Sequence, residues 1–271
     1  MAQDLWNQNQ DETYANEPGN MDQRRGFFGN GGAATPFEQM AAGFNADMAA
    51  ESLSTYIAKT FLWMFVGLLV TFIVAYGMAA SGIAYNMLAG AGRAALLVVT
   101  VAEFAVVIAM SAGINKMAPA VAGFCFLLYA ALTGVTFSIY FLAFDLTVLV
   151  YAFGATALFF GGMAAASLIF KMELDSIRPY LFGGLILLIV FGILSMFLNL
   201  GVFNTLICYV GIAVFLGYTA YDVSKIRQNY YFYAGQGELL KKASIFSALQ
   251  LYLDFINLFL YILKILGNRK D

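Results

Sequence analysis

The chain has 271 residues, 62% of them hydrophobic and 11% charged, with a net charge of −2. That composition belongs to a polytopic membrane protein and offers no basic surface for nucleic acid. There is no histidine, which removes His-based metal sites, Ser-His hydrolase chemistry and histidine pH switching, so proton sensing must fall to carboxylates.

Residues 1–54 read as a polar leading tail. Up to about residue 36 it is rich in Asn, Gln, Gly and Asp and holds Pro18 and Pro36, too polar a stretch to order itself by burial. No positive segment leads into an apolar core, so a cleavable signal peptide is not expected. Phe37, Met40, Ala41, Phe44 and Met48 then recur at helical spacing. This segment is either a short interfacial helix or a loosely helical linker.

Residues 55–271 carry seven apolar runs, each long enough to cross a bilayer, which takes about 20 residues. The expected fold is all-α, with seven transmembrane helices. The first span runs from about Ile57 to Ala80, and the loop Ser81–Gly92 leads to the second, Arg93 to Ala112, which contains Glu103. The third covers Met117 to Phe144 and the fourth Thr147 to Phe170. Gly161/Ala165 and Gly162/Ala166 in the fourth give the small-xxx-small spacing of close helix contacts. The loop Lys171–Pro179 leads to the fifth span, Tyr180 to Leu198. The sixth starts near Thr205 and stays apolar to Tyr221, and beyond that no Gly or Pro interrupts it until Gly235. Cys125 and Cys208 lie in apolar runs and read as small buried side chains. No internal repeat of the transporter kind is evident.

The seventh span, Ser244 to Gly267, differs from the others. Ser247, Gln250, Asp254, Asn257, Tyr261 and Lys264 follow at steps of 3, 4, 3, 4 and 3, one stripe of an α-helix. An aspartate in mid-membrane costs about 2.5–3.5 kcal/mol, so it should face protein or water rather than lipid. The last helix is therefore expected at the centre of the bundle with its stripe turned inward. The stripe is either a functional site or a hydrogen-bonded network that fixes packing.

Lys and Arg set the orientation. With a cytoplasmic N-terminus, ten fall inside (Arg24, Arg25, Lys59, Lys116, Lys171, Arg178, Lys225, Arg227, Lys241 and Lys242) and four outside (Arg93, Lys264, Arg269 and Lys270). Seven crossings then leave a basic C-terminus outside; a last helix that enters without crossing would avoid this. Seven full spans are the reading adopted.

The last two helices should form an antiparallel hairpin turning near residue 236. Asp222 precedes that turn by about fourteen residues and Asp254 follows it by about eighteen. At about 1.5 Å per residue their heights differ by only ~6 Å, within reach of a modest stagger. Two touching carboxylates cannot both ionise cheaply, so such a pair titrates as a unit. Glu103 is a third intramembrane acid, with Thr100, Val107 and Ser111 on its face.

The stretches LYLDFINLFLYILKILGNR (Leu251–Arg269) and GYTAYDVSKI (Gly217–Ile226) closely resemble the last two helices of the transmembrane Bax inhibitor motif family. FLWMFVGLLVT (Phe61–Thr71), VAEFAVVIAMSAGINKMAP (Val101–Pro119) and LTGVTFSIY (Leu132–Tyr140) fit its first three. The resemblance covers about residues 55–271. It implies a seven-helix bundle around a central last helix and a pH-sensitive calcium leak. It implies an aspartate pair as proton sensor, at positions matching Asp222 and Asp254, and an acidic second-helix position matching Glu103. Bacterial members are linked to a membrane-bound ATP-dependent protease and eukaryotic ones to suppression of cell death. Two departures stand out: Val223-Ser224 where the family often has Thr-Gln, and no Arg near the end of the second span, where the nearest cation is Lys116.

The function expected from these residues is a cation leak, calcium foremost, gated by Asp222 and Asp254. Glu103, Gln250 and Asn257 line the ion pathway, and Asp222, Asp254 and Glu103 hold calcium transiently. No resident cofactor is expected. The alternative is a non-conducting regulator of a membrane protease or stress component, with the tail as its handle. An intramembrane aspartyl protease fits poorly: Tyr221-Asp222 matches half of the presenilin-type pattern, but Asp254 follows Leu251-Tyr252-Leu253 rather than Gly-x-Gly. No enzyme activity is expected. The expected location is a bacterial inner membrane.

Overall fold

The computed structural model describes residues 52–90, 92–113, 116–172, 174–197 and 202–267. The leading segment through residue 51, with the stretch Phe37–Met48, and the basic residues Arg24, Arg25, Arg269 and Lys270 lie outside the described residues. The elements are α1 (Leu53–Ala80), α2 (Ile83–Gly90), α3 (Gly92–Gly113), α4 (Pro119–Ala143) and α5 (Leu146–Ile169), then a 3-10 turn (Asp175–Ile177), α6 (Arg178–Phe197), α7 (Val202–Phe232) and α8 (Gly237–Gly267). No strand occurs among the described residues. Seven of these helices, all but α2, are long and apolar enough to cross a membrane. The fold is an all-α polytopic membrane protein.

Local chemistry sets the ends. Ser52 caps α1, its Oγ accepting from the Thr55 N–H at 3.2 Å, which starts the helix at Leu53 rather than near Ile57. Pro119 opens α4, where its missing N–H costs nothing. The segment Ser81–Gly92, expected as a loop, contains α2. Gly82 and Gly92 take positive φ, 73° and 55°, on either side of it, so glycines turn the chain into and out of one short helix. At the other end of the bundle Gly235, at φ 80°, makes the turn between α7 and α8.

The last helix is central. It packs against α1, α4, α5 and α7, and Leu251, Tyr252, Asp254, Phe255 and Leu258, pointing in different directions around it, are all buried. The outer helices α3 and α6 instead expose Leu97, Val98, Phe104, Phe182 and Ile189, as lipid-facing surfaces do.

Apolar burial alone does not drive helices together in lipid, so close packing and hydrogen bonds hold the bundle. Tyr252 is wedged edge-on against Phe126 and Tyr129, ring centres 5.6 and 5.9 Å away. Its hydroxyl donates to Thr71 Oγ1 at 2.7 Å. The Thr71 hydrogen then serves the carbonyl of Ala130, at 2.9 Å, or that of Gly67, at 3.1 Å. Thr60 and Ser244 hydroxyls meet at 2.9 Å, and Ser167 donates to the Ala220 carbonyl at 2.8 Å. Such bonds tie α8 to α1 and α5 to α7, each worth about 0.6–2 kcal/mol in a bilayer.

The close-contact glycines are not those expected. Nothing lies within 4 Å of a Cβ built on Gly161 or Gly162, because that face of α5 points out of the bundle. The tight contact is between α1 and α4: a Cβ on Gly134 would sit 2.7 Å from Val74 Cβ and 2.8 Å from the Thr71 carbonyl oxygen. Of the two cysteines, Cys208 is buried and Cys125 half-buried.

Backbone cannot move aside as a side chain can, so Gly134→Ala should destabilise the fold by about 1–3 kcal/mol. Gly161→Ala should stay within about 0.5 kcal/mol of the native protein. Thermal unfolding in detergent micelles checks both, and equal midpoints for the two variants would refute this packing.

Candidate functional site between the last two helices

The helix α7 runs unbroken from the apolar Val202 through the polar stretch YDVSKIRQNYYF because nothing in that sequence stops it. It carries Asp222 to the height of Asp254 on α8. Both side chains are buried, 6% and 4% exposed, and their carboxyls lie within hydrogen-bonding reach of one another. Two carboxyls this close are bonded to one another only when one of them holds a proton. The remaining Asp254 oxygen, Oδ2, is buried with no hydrogen-bond partner among the described residues.

Asp222 also reaches a cleft of about 760 Å³ that it lines with Asp175, Arg178, Tyr221, Lys225 and Gln250. Across the mouth Lys225, one turn along α7 from Asp222, pairs with Asp175 of the α5–α6 turn. Lys225 also donates to Gln228 Oε1 at 2.7 Å, and its ammonium stands 5.4 Å from the centre of the Tyr221 ring. The spacing Asp222–Lys225 was visible in the sequence as neighbours three apart on a helix. The partnership with Asp175, fifty positions earlier, had no sequence signal.

The polar stripe of α8 is not wholly turned inward. Ser247 and Asp254 are buried, and Ser247 Oγ accepts from Asn229 Nδ2 at 3.2 Å. Gln250 is exposed into the cleft beside Asp222. Asn257 is half-buried and its amide donates to the Leu253 carbonyl, at 2.8 Å, so its oxygen is the group left for other partners. Tyr261 lays its ring on Gly211 of α7, where a Cβ would come within 2.7 Å of the ring, and stacks on Phe215 with centres 6.0 Å apart. Lys264 is exposed in a second cleft, about 670 Å³, at the far end of the bundle, shared with Ser195, Asn204 and Tyr261. The stripe thus runs from one cleft to another through a closed middle.

The structure does not bring Glu103 to the pair. It accepts from Thr136 Oγ1 of α4 at 2.8 Å, and α3 packs mainly on α4 and α2, the side of α8 that Tyr252 faces. Tyr252 and Asp254 point to opposite sides of α8, two residues being about 200° of helical turn. Glu103 therefore stands across α8 from Asp222 and Asp254. Among the described residues no three acidic or Cys side chains converge as metal ligands, so the expected calcium set of Asp222, Asp254 and Glu103 is not assembled. Hydropathy could not have given this, because the face of α3 that holds Thr100, Glu103 and Ser111 does not say which neighbour it meets.

Comparison with known proteins agrees with this architecture. Residues 53–271 match the family model described as inhibitor of apoptosis-promoting Bax1. The chain is 37% identical over 226 residues to the inner membrane protein YbhL of Escherichia coli strain K12, a match covering 80% of this chain and 93% of YbhL. An uncharacterized protein of Deinococcus radiodurans is 35% identical over 221 residues, covering 82% of this chain and 93% of its own length. One of Borreliella burgdorferi is 34% identical over 216 residues, covering 80% and 93%. Because the family model takes in every described helix, both aspartates included, the chain belongs to the Bax inhibitor family of membrane proteins.

Proposed function

We propose that the chain is a pH-sensitive cation leak, with calcium the expected ion, gated by Asp222 and Asp254. The observation that carries this reading is the burial of the pair beside a polar stripe that opens into separate clefts at Gln250 and at Lys264. With one proton between them, the carboxyls clasp α7 to α8 by a charge-assisted hydrogen bond. A second proton turns that bond into an ordinary one, about half as strong. The contact between the two helices loosens, and acid favours opening. The carboxylates, with the amide oxygens of Gln250 and Asn257, supply the hard oxygen ligands calcium prefers, yet too few to trap it. The orphan Asp254 Oδ2 fits such a role, since it gains a partner when a cation or second proton arrives.

Tyr261, seated on Gly211, is the proposed closure between the pair and the far cleft. The likeness to YbhL supports a bacterial inner-membrane location. The excess of Lys and Arg at the end where α1 begins supports a cytoplasmic N-terminus.

Calcium flux into proteoliposomes of the purified chain tests the reading. Flux should rise as pH falls from about 8 to about 5, and Asp222→Asn and Asp254→Asn should each flatten that profile. A native profile retained in both variants would remove the sensor, and no flux in the native protein would remove the leak. Tyr261→Ala opens space beside Gly211 and should raise flux at neutral pH several-fold. Flux equal to native would show that no exit passes Tyr261.

A further inference from the structure

We propose that Lys225 governs cation entry at the cleft beside Asp222, and that Asp175 is the positioning residue that holds its ammonium off the aspartate. The effect on flux rests on the leak reading above; the arrangement of charges does not. Lys225 lies one turn of α7 beyond Asp222, a spacing at which side chains meet. Its ammonium is drawn the other way. It pairs with Asp175 at 2.5 Å and donates to Gln228 Oε1 at 2.7 Å, and Gln228 lies one turn further from Asp222. Gln228 in turn donates from Nε2 to Asp175 Oδ2 at 3.5 Å, closing a ring of three side chains. The same ammonium stands 5.4 Å from the centre of the Tyr221 ring, and Tyr221 is the neighbour of Asp222 in the chain. A swing at the end of one flexible side chain therefore carries it from Asp175 to Asp222.

Asp175 sits in the short 3-10 turn between α5 and α6 and is 61% exposed, with Lys225 27% exposed. An ion pair so open to water is weak, so its partners exchange readily. The charged side chains that line the cleft, among the described residues, are Asp175, Arg178, Asp222 and Lys225. Asp254 faces Asp222 from α8, which otherwise brings only the neutral Gln250 to the cleft. The phenols of Tyr218 and Tyr221 complete the ionisable groups there. With Asp175 ionised, Lys225 is engaged at the mouth and Asp222 is left open to an arriving cation. With Asp175 neutralised, Lys225 becomes the counter-ion of the aspartate pair and takes the place a permeant cation needs. The competing account is a brace, in which the ion pair only pins the α5–α6 turn to α7.

The two accounts differ in sign. Asp175→Asn and Lys225→Gln both break the brace, so a brace predicts changes in the same sense. The proposed role predicts opposite ones. Calcium flux into proteoliposomes at one fixed pH should fall about two- to fivefold in Asp175→Asn and rise by a similar factor in Lys225→Gln, the range expected of an exposed ion pair. The double variant should match Lys225→Gln, because without the ammonium Asp175 has nothing to hold back. Flux changes of one sense, or a double variant that keeps the full effect of Asp175→Asn, would overturn the proposal. The infrared carboxylic-acid band of the aspartate pair gives a second reading that needs no flux. At neutral pH it should weaken in Asp175→Asn, where the ammonium favours the ionised carboxylate, and strengthen in Lys225→Gln. If the native chain carries no calcium, the leak reading falls, and opposite band changes still place Lys225 under the control of Asp175. Bands that change alike, or not at all, would overturn the proposal whatever the flux.

Discussion

The bundle is organised by the meeting of two buried carboxyls, Asp222 and Asp254, on its last two helices. Alone in mid-membrane each aspartate is a liability of several kcal/mol. Placed against one another, Asp222 and Asp254 need ionise only once between them, and the pair becomes a contact between α7 and α8. Much of the architecture serves that contact. A hairpin turned at Gly235 sets the two residues at one height. Ser167 of α5 binds the carbonyl of Ala220, two residues before Asp222. Tyr252, held by Thr71 and by the rings of Phe126 and Tyr129, fixes the rotation of α8 that turns Asp254 toward α7.

This arrangement explains why the last helix is both the most buried and among the more polar. A lipid-facing helix gains nothing from Ser, Asn or Asp. A helix surrounded by others can use them, because each polar group finds a partner or a water-filled cleft. On α8 Ser247 and Asp254 are buried, while Gln250 and Lys264 face separate clefts. The middle is closed by aromatic packing at Tyr261 and Phe215. Gly211 and Phe215, against which Tyr261 packs, sit on the same helix as Asp222.

How much was legible in the sequence follows from the same physics. The seven spans could be read because an apolar run of that length has few other uses. The meeting of Asp222 and Asp254 could be read because helical rise converts residue counts into heights. The turning faces of the outer helices could not. Glu103 shares its face of α3 with Thr100 and Ser111, yet nothing in α3 told that it faces Thr136 and the far side of α8. The glycines of α5 had the spacing of a contact motif, yet the tight approach is made by Gly134 against the backbone of α1. Spacing says that a close approach is possible on some face, and only the neighbours decide which. The pairing of Lys225 with Asp175 joins two segments fifty residues apart and depends on how the α5–α6 turn folds back.

The central claim is that the buried pair holds one proton between two oxygens. Infrared titration of the purified protein, in water and in heavy water, reads it directly through the carbonyl stretch of a protonated carboxyl. The account predicts an isotope-sensitive carboxylic-acid band in the native protein at neutral pH, altered by either Asp222→Asn or Asp254→Asn and unaffected by Glu103→Gln. A spectrum showing only ionised carboxylates at neutral pH, or an acid band that ignores both aspartate changes, would contradict it.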